Sequence, residues 1–350
     1  MMLATLSANA NFSNFPVVMV YFILAAIFMW LLSGVLIYRV ASKVLRYPSR
    51  CSALVGTNPI KPEWAPFVRT YDERFKKRSK FLAFVTSLSV APARILISVS
   101  IIVINGVAAL TLSSSAVAAV ARWVSRSILR VMGIRVTRIG TRLSVREAPC
   151  VVANHISAMD ILALLSLGCC FVANNKVLDL PGIGRVAKAI GCIFVARDSQ
   201  ESRASAKEAI TQRLLDSSPD VDTPDAQLVI FPEGTTTNGR GLLQFRRGAF
   251  ESGVTIQPVR IDYSDLQCSM SILSIWDHVC LLSVLSCDKE ISVQFLDPVR
   301  NSGPDETASI VRSKIANAKS PYSSEPLTLF ESGSHRDEAE LTRVVSRMTN

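Results

Sequence analysis

The first 38 residues contain no charged side chain, and residues 16–38 form a continuous, mainly apolar run. As an α-helix this run is about 34 Å long, which is enough to cross the hydrocarbon core of a bilayer. Basic residues follow at once, at Arg39, Lys43, Arg46 and Arg50. Because basic residues favour the cytosolic side, the pattern predicts a transmembrane helix that runs from lumen to cytosol. A cleaved signal peptide is a poorer fit, since the run is too long and lacks a basic start.

A second apolar stretch, residues 95–121, has no charged residue over 27 positions. It is long enough to span a membrane once, or to form a hairpin that turns near residues 105–106 or 113–115. Arg122, Arg126 and Arg130 then recur every four residues, as in a basic amphipathic helix. Basic residues flank the stretch on both sides, which favours a hairpin that returns to the same membrane face. We therefore assign residues 1–80 to a transmembrane helix with a basic loop, and residues 81–132 to a membrane-embedded hairpin with its basic helix.

From residue 133 onwards the pattern changes to short apolar strands that alternate with helices. Strands are predicted at residues 134–139, 150–153, 170–173, 192–196, 228–231, 256–261 and 291–296. Helices are predicted between them, at residues 157–167, 184–190, 202–216 and 306–318. This alternation is typical of an α/β sheet flanked by helices, and it defines a domain at residues 133–318. Residues 319–350 are rich in Ser, Pro and charge, so we expect a disordered tail with a short charged helix near residues 337–348.

Charge and cysteine usage narrow the class of partner. The formal net charge is +10, which suggests an anionic partner. The basic residues are scattered and match no nucleic-acid motif, so an anionic membrane surface or a phosphate-bearing substrate fits better than nucleic acid. The eight cysteines include no CxxC pair, so neither a zinc site nor a disulfide framework is expected.

His155 is one of three histidines in the chain, and it lies where a predicted strand runs into a helix. Imidazole titrates near neutral pH, and it acts as a general base when a carboxylate fixes its tautomer. Asp160, five residues later, can supply that carboxylate if the turn folds back. The spacing also fits a plainer interpretation, because Ser157-x-x-Asp160 is a capping box at the start of a helix.

A second polar stretch follows the strand predicted at residues 228–231. Glu233, Gly234 and Thr235 begin a loop rich in hydroxyl groups. Glycine lets the backbone approach a ligand closely, while threonine hydroxyls and loop N–H groups can bind phosphate oxygens. Arg246 and Arg247 add cations for an anionic group. The loop is therefore a candidate anion-binding site, with a plain polar turn as the alternative.

Four stretches in this order resemble the glycerolipid acyltransferase family, of the 1-acylglycerol-phosphate or PlsC-like type. The matching residues are Asn154, His155 and Asp160; Gly191, Phe194 and Arg197; Phe231, Pro232, Glu233, Gly234 and Thr235; and Ile256 and Pro258. They cover about residues 130–300, roughly half of the chain. The longer match around residues 231–259 is most similar to the lysophosphatidylcholine and lysophosphatidylethanolamine acyltransferase branch.

The resemblance implies an integral membrane enzyme that moves an acyl group from acyl-CoA to the free hydroxyl of a lysophospholipid. His155 and Asp160 would be catalytic. The acceptor would be held by Asn154, Arg197, Glu233, Gly234 and Thr235, with Arg246 and Arg247. No metal or bound cofactor is implied. The expected location is the endoplasmic reticulum, with the catalytic domain on the cytosolic face.

One departure from the family pattern bears on the acceptor. Relatives that form phosphatidic acid usually carry Arg or Lys after the Gly-Thr pair, where this chain has Thr236. The missing cation favours a zwitterionic head group, although Arg246 or Arg247 can compensate. A 1-acylglycerol-3-phosphate acyltransferase therefore remains an alternative. A catalytically silent, lipid-binding membrane scaffold is an alternative of another class, and the intact His155 and Asp160 argue against it.

Overall fold

The computed structural model describes residues 15–46, 61–68, 78–175, 178, 183–195, 200–215, 226–285 and 289–347. An apolar helical layer begins the chain, with helices α1 (Phe15–Val44), α2 (Arg78–Ser89) and α3 (Ala91–Ala108). They pack against one another and against α8 (Ile275–Val284). By length and composition, Met19–Val44 and Ala91–Ala108 can each cross a membrane. Large apolar side chains on α1, α2 and α3 are exposed, as a lipid-facing layer requires.

The apolar run at residues 95–121 is divided between two helices. Helix α3 ends at Ala108, and α4 (Ser114–Val131) begins after a short turn and packs back against α3. The Ser113 side chain accepts the Ala116 N–H and caps α4. The turn at residues 109–113 therefore adjoins the position predicted at residues 113–115, whereas the alternative at residues 105–106 lies inside α3. One face of α4 is buried, including Val124, Ile128 and Leu129, whereas Trp123 is exposed. Arg126 donates to the carbonyl of Ser166 at 2.7 Å.

The predicted α/β domain is confirmed as a seven-stranded sheet in the order β1-β8-β7-β2-β5-β3-β4. Its strands are β1 (Ile134–Ile139), β2 (Cys150–Ala153), β3 (Cys170–Asn174), β4 (Ile193–Val195), β5 (Leu228–Ile230), β7 (Ile256–Tyr263) and β8 (Lys289–Phe295). All neighbouring pairs are parallel except β7 and β8, which are antiparallel. The strands β2 and β5 read as apolar runs, as expected for a sheet covered on both faces. Strand β7 is buried along its whole length, although it carries the polar side chains of Gln257, Arg260 and Asp262.

Successive residues of β2 point to opposite faces of the sheet, and each face has its own core. Val151 lies in an apolar cluster with residues of α1, α4, α5 and α8, whereas Val152 lies in a cluster with residues of α7 and α9. The remaining helices are α5 (Met159–Ser166), α6 (Ile183–Ala189), α7 (Gln200–Leu215), α9 (Pro304–Asn317) and α10 (His335–Arg347). Strand β2 is thus central, and the segment that follows it emerges between well-packed neighbours.

The segment at residues 319–334 differs from the expected disordered tail, whereas the short charged helix expected near residues 337–348 is present as α10. Strand β9 (Thr328–Leu329) pairs with β6 (Gly241–Leu242), and α10 follows it. Leu341 and Val345 lie one helical turn apart and are fully buried in the main core. The correction has a physical reason, because this apolar pair and buried Leu327 give a largely polar segment enough burial to order it.

Candidate active site

The catalytic candidates lie in the turn between β2 and α5, which we call the catalytic turn (residues 154–160). His155 Nδ1 is 2.9 Å from Asp160 Oδ2, so the chain folds back as the five-residue spacing predicted. The His155 side chain is 17% exposed, whereas that of Asp160 is completely buried. The imidazole can therefore meet a substrate from one edge while the carboxylate holds it from the other.

Asp160 is surrounded by hydrogen-bond donors. Its Oδ2 also accepts the N–H groups of Ile156 and Ser157, at 2.7 and 2.9 Å. The Tyr263 hydroxyl, at the end of β7, donates to Oδ1 at 2.6 Å. These donors offset the cost of burying a carboxylate and fix its orientation. The bond from Ser157 is also half of a capping box, so Asp160 orders the helix start and contacts the histidine at once.

Tyr263 was not singled out from the sequence. Burial, followed by the charge of Asp160, raises the pKa of this phenol well above its usual value. The hydroxyl therefore remains a donor at neutral pH. No local pattern in the sequence identifies it, since the hydrogen bond joins residues that are 103 positions apart.

Glu233 lies beneath the catalytic turn. Its two carboxylate oxygens accept the N–H groups of His155 at 2.8 Å and of Leu243 at 2.9 Å. The side chain is buried, and burial raises its pKa to about 8, although the two N–H donors and Arg312 act in the opposite direction. Both oxygens of Glu233 thus accept backbone N–H groups, one of them in the catalytic turn. This geometry favours a role in positioning the turn over the predicted contact with the acceptor.

His155 is also fixed by an aromatic ring and by the following loop. The imidazole stacks on Phe231, with ring centroids 4.1 Å apart and planes inclined by 15°. The Thr237 N–H donates to the His155 carbonyl at 2.9 Å. Backbone and ring of the histidine are therefore both held before any substrate arrives, as expected for a preorganised base.

Asn154 was predicted to bind the acceptor, and the structure instead gives it internal partners. The side chain is buried, donates to the Ile261 carbonyl at 2.9 Å and accepts the Ile261 N–H at 2.7 Å. Both ends of the amide are used to tie β2 to β7 where the parallel strands separate. The asparagine therefore aligns the start of the catalytic turn.

The loop after β5 brings together some of the predicted anion-binding groups. Gly234 has φ of +75°, and a Cβ atom at this position would lie 2.5 Å from Cζ of Arg246. The guanidinium therefore rests directly against the glycine, which no other residue could replace without a shift. Arg247 faces elsewhere and forms an exposed ion pair with Asp305 at 3.0 Å. Arg246, but not Arg247, is thus joined to this loop.

Thr235 and Arg197 are the other two residues that were predicted to hold the acceptor. The hydroxyl of Thr235 donates to the carboxylate of Glu338 in α10, a contact that no local sequence pattern indicates. Arg197, predicted to hold the acceptor, lies outside the described residues.

Metal-binding clusters and cysteine thiols are two other kinds of reactive group that a site can contain. Within the described ranges, no group of three or more His, Cys, Asp or Glu side chains is placed to hold a metal ion. Cys150, Cys169 and Cys170 are buried free thiols. Burial raises the pKa of Cys150 to about 12, so this thiol stays protonated.

Part of the α/β domain is similar to a known protein family. Residues 135–262 match the family model described as Acyltransferase. They span the catalytic turn, the loop after β5 and most of β7. The candidate catalytic residues therefore lie in the part of the chain that is similar to acyltransferases.

The chain is also similar to lysophospholipid acyltransferases. It is 35% identical over 169 residues to lysophospholipid acyltransferase LPEAT2 of Arabidopsis thaliana, covering 47% of this chain and 29% of that protein. It is 30% identical over 210 residues to lysophosphatidylcholine acyltransferase 2 of Rattus norvegicus, covering 56% of this chain and 37% of that protein. The chain thus matches about a third of the length of these relatives.

A solved structure, the 1-acyl-sn-glycerophosphate acyltransferase PlsC of Thermotoga maritima, aligns with a TM-score of 0.45 and 17% identity. The alignment covers 78% of this chain and 97% of that one. A likeness at this level carries no argument about function.

Proposed function

We propose that the protein transfers a fatty acyl group from acyl-CoA to the free hydroxyl of a lysophospholipid. The observation that carries the proposal is the hydrogen bond between His155 Nδ1 and Asp160 Oδ2, within the part of the chain that is similar to acyltransferases. The histidine is partly exposed and the aspartate is buried, so only one edge of the pair faces a substrate. This is the arrangement of a base and its orienting carboxylate.

The reaction follows from that geometry. Asp160 accepts the Nδ1–H of His155, which leaves Nε2 to take the proton from the acceptor hydroxyl. The oxygen forms a bond to the thioester carbonyl carbon, and the resulting tetrahedral intermediate collapses with loss of the CoA thiolate. The thiolate takes the proton back from the imidazolium, which restores the neutral base. The negative Asp160 stabilises the imidazolium between these steps.

The acceptor phosphate is assigned to the loop around Gly234, because Arg246 lies against this glycine. A zwitterionic lysophospholipid is the favoured acceptor, since Thr236 supplies no cation beside the Gly-Thr pair. Arg246 lies against Gly234 and can supply the cation that Thr236 does not. Lysophosphatidate is therefore the alternative acceptor. The two candidates therefore differ in how much charge this loop neutralises.

The membrane placement is part of the proposal. Helix α1 spans the bilayer, while α3 and α4 form a hairpin that returns to the cytosolic side of the endoplasmic reticulum. Two observations support it: α4 turns back along α3, and the basic residues Arg39 and Lys43 lie at the C-terminal end of α1. Acyl-CoA is cytosolic, which requires the same orientation.

Protease protection tests this topology. Protease added outside sealed microsomes should digest a tag at the C-terminus, and a tag protected until detergent is added would overturn this topology.

The function is tested with a panel of acceptors. The purified full chain is incubated with one labelled acyl-CoA and with lysophosphatidylcholine, lysophosphatidylethanolamine or lysophosphatidate. We expect labelled phospholipid from the zwitterionic acceptors. Preferential use of lysophosphatidate would favour the alternative substrate, and the absence of labelled product with every acceptor would reject the enzyme in favour of a lipid-binding scaffold.

A further inference from the structure

Glu338 in α10 joins two loops that are distant in the sequence. The Thr235 hydroxyl donates to its Oε2, and the Ile272 N–H donates to its Oε1 at 3.0 Å. The side chain is 12% exposed, so both contacts are largely shielded from water. Hydrogen bonds to a carboxylate in such surroundings are stronger than those between neutral groups. One carboxylate therefore holds the loop after β5 and the loop before α8 together.

The contact with Ile272 holds a strained backbone. Ile272 has φ of +58°, the sole positive φ found outside glycine among the described residues. A β-branched side chain disfavours this region, so the conformation persists only where the surroundings impose it. The Glu338 carboxylate is one of the groups that impose it.

Both loops contact the catalytic turn directly. From the first loop, the Thr237 N–H donates to the His155 carbonyl at 2.9 Å. From the second, the Met270 N–H donates to the Ile156 carbonyl at 2.8 Å. The Ser269 hydroxyl closes the arrangement with a bond of 3.1 Å to the Thr237 carbonyl. Two successive peptide units of the turn are thus held by the two loops that Glu338 connects.

The docking of α10 is separable from this contact. Leu341 and Val345 bury the apolar face of the helix in the core. Glu340, two residues after Glu338 on the same helix, forms an exposed ion pair with Lys61 at 2.9 Å. A change of the Glu338 carboxylate therefore leaves the main attachment of the helix in place, and Glu340 provides a matched control on the same helix.

We propose that Glu338 is a positioning residue for acyl transfer, acting through Thr235 and Ile272 on the catalytic turn. The inference rests on the proposed function and deepens it, because it makes a helix beyond the acyltransferase-family match part of the active site. It also gives Thr235 a second role, since its hydroxyl donates within the protein and leaves its lone pairs for a ligand.

Glu338→Gln is the primary variant, because it keeps the size of the side chain and removes the charge. We expect kcat to fall about tenfold, the loss typical of one hydrogen bond to a charged group, with the KM for acyl-CoA unchanged. Thr235→Val removes the hydroxyl that donates to Glu338 and should lose a similar factor, whereas Thr235→Ser retains the hydroxyl and should lose less than Thr235→Val. Glu340→Gln should leave kcat unchanged.

The double variant separates positioning from general destabilisation. If Thr235 and Glu338 act as one unit, Thr235→Val with Glu338→Gln should be no slower than either single variant. Multiplied losses, or a Glu338→Gln enzyme with wild-type kcat, would overturn the inference. Rates are normalised to folded protein from thermal unfolding curves, so instability alone does not imitate the result. An inactive wild-type enzyme would reject the proposed function instead.

Discussion

Replacing Asp160 with asparagine isolates the charge behind His155. Three donors converge on Oδ2, namely His155 Nδ1 and the N–H groups of Ile156 and Ser157, while Oδ1 accepts the Tyr263 hydroxyl. An asparagine will therefore place its amide oxygen at Oδ2 and its NH₂ group towards Tyr263, whose oxygen can accept. In this orientation the tautomer of His155 is preserved, and the negative charge is what the substitution removes.

The size of the effect follows from the 2.9 Å separation of the two side chains. At an effective dielectric constant of about 20, unit charges at this distance interact by roughly 6 kcal/mol. The amide dipole of asparagine retains part of this interaction energy, so roughly 6 kcal/mol is the upper limit of the loss. The lower limit is set by a single hydrogen bond to a charged group, which contributes about 1.5–3 kcal/mol. We therefore expect kcat to fall by about 10² to 10⁴-fold, since about 1.4 kcal/mol corresponds to a factor of ten.

The assay is acyl transfer from labelled acyl-CoA at saturating concentrations of both substrates. Tyr263→Phe is the matched control, because it removes one donor to Asp160 but keeps the charge. We expect it to lose less activity than Asp160→Asn, because the negative charge behind His155 remains. An Asp160→Asn enzyme within tenfold of wild type would refute the claim that the carboxylate stabilises an imidazolium during transfer.

Three further predictions concern the groups around the turn. Because the pKa of Glu233 is raised from 4.5 to about 8 on folding, its stabilising effect is full below pH 4.5 and is lost as pH rises through 8. Thermal unfolding should therefore show this loss in wild type, and a weaker loss in Glu233→Gln; identical pH profiles would contradict it. Asn154→Ala leaves the N–H and carbonyl of Ile261 without the amide and should destabilise the fold by about 3 kcal/mol, measured by denaturant unfolding. Gly234→Ala should raise the KM for the lysophospholipid more than that for acyl-CoA, because the new methyl group displaces a guanidinium, whereas Gly248→Ala, with nothing within 4 Å, should not.

The sequence predicted the contacts that are local in the chain. The His155–Asp160 pair lies within one turn, so the five-residue spacing and the change from strand to helix were sufficient to find it. The parallel strands were likewise visible as short apolar runs, because sheets buried on both faces require them.

Contacts between distant segments were not visible in the same way. Glu233 resembled an acceptor ligand because it follows a strand in a polar loop, yet its partner His155 lies 78 residues earlier. The contact of Glu338 with Thr235 spans 103 residues, and composition alone predicted disorder nearby. Which of two adjacent arginines faces Gly234 also depends on a three-dimensional neighbour, Asp305, that no spacing rule identifies.

The central claim is that His155 is the base that activates the acceptor hydroxyl, and His155→Ala tests it most directly. The purified variant is compared with wild type for transfer of a labelled acyl group to lysophosphatidylcholine, with folding checked by thermal unfolding. A positioned general base contributes about 10² to 10⁴-fold, so we predict that transfer falls by at least a hundredfold in a folded protein. A folded His155→Ala protein that transfers the acyl group within tenfold of the wild-type rate would contradict the mechanism.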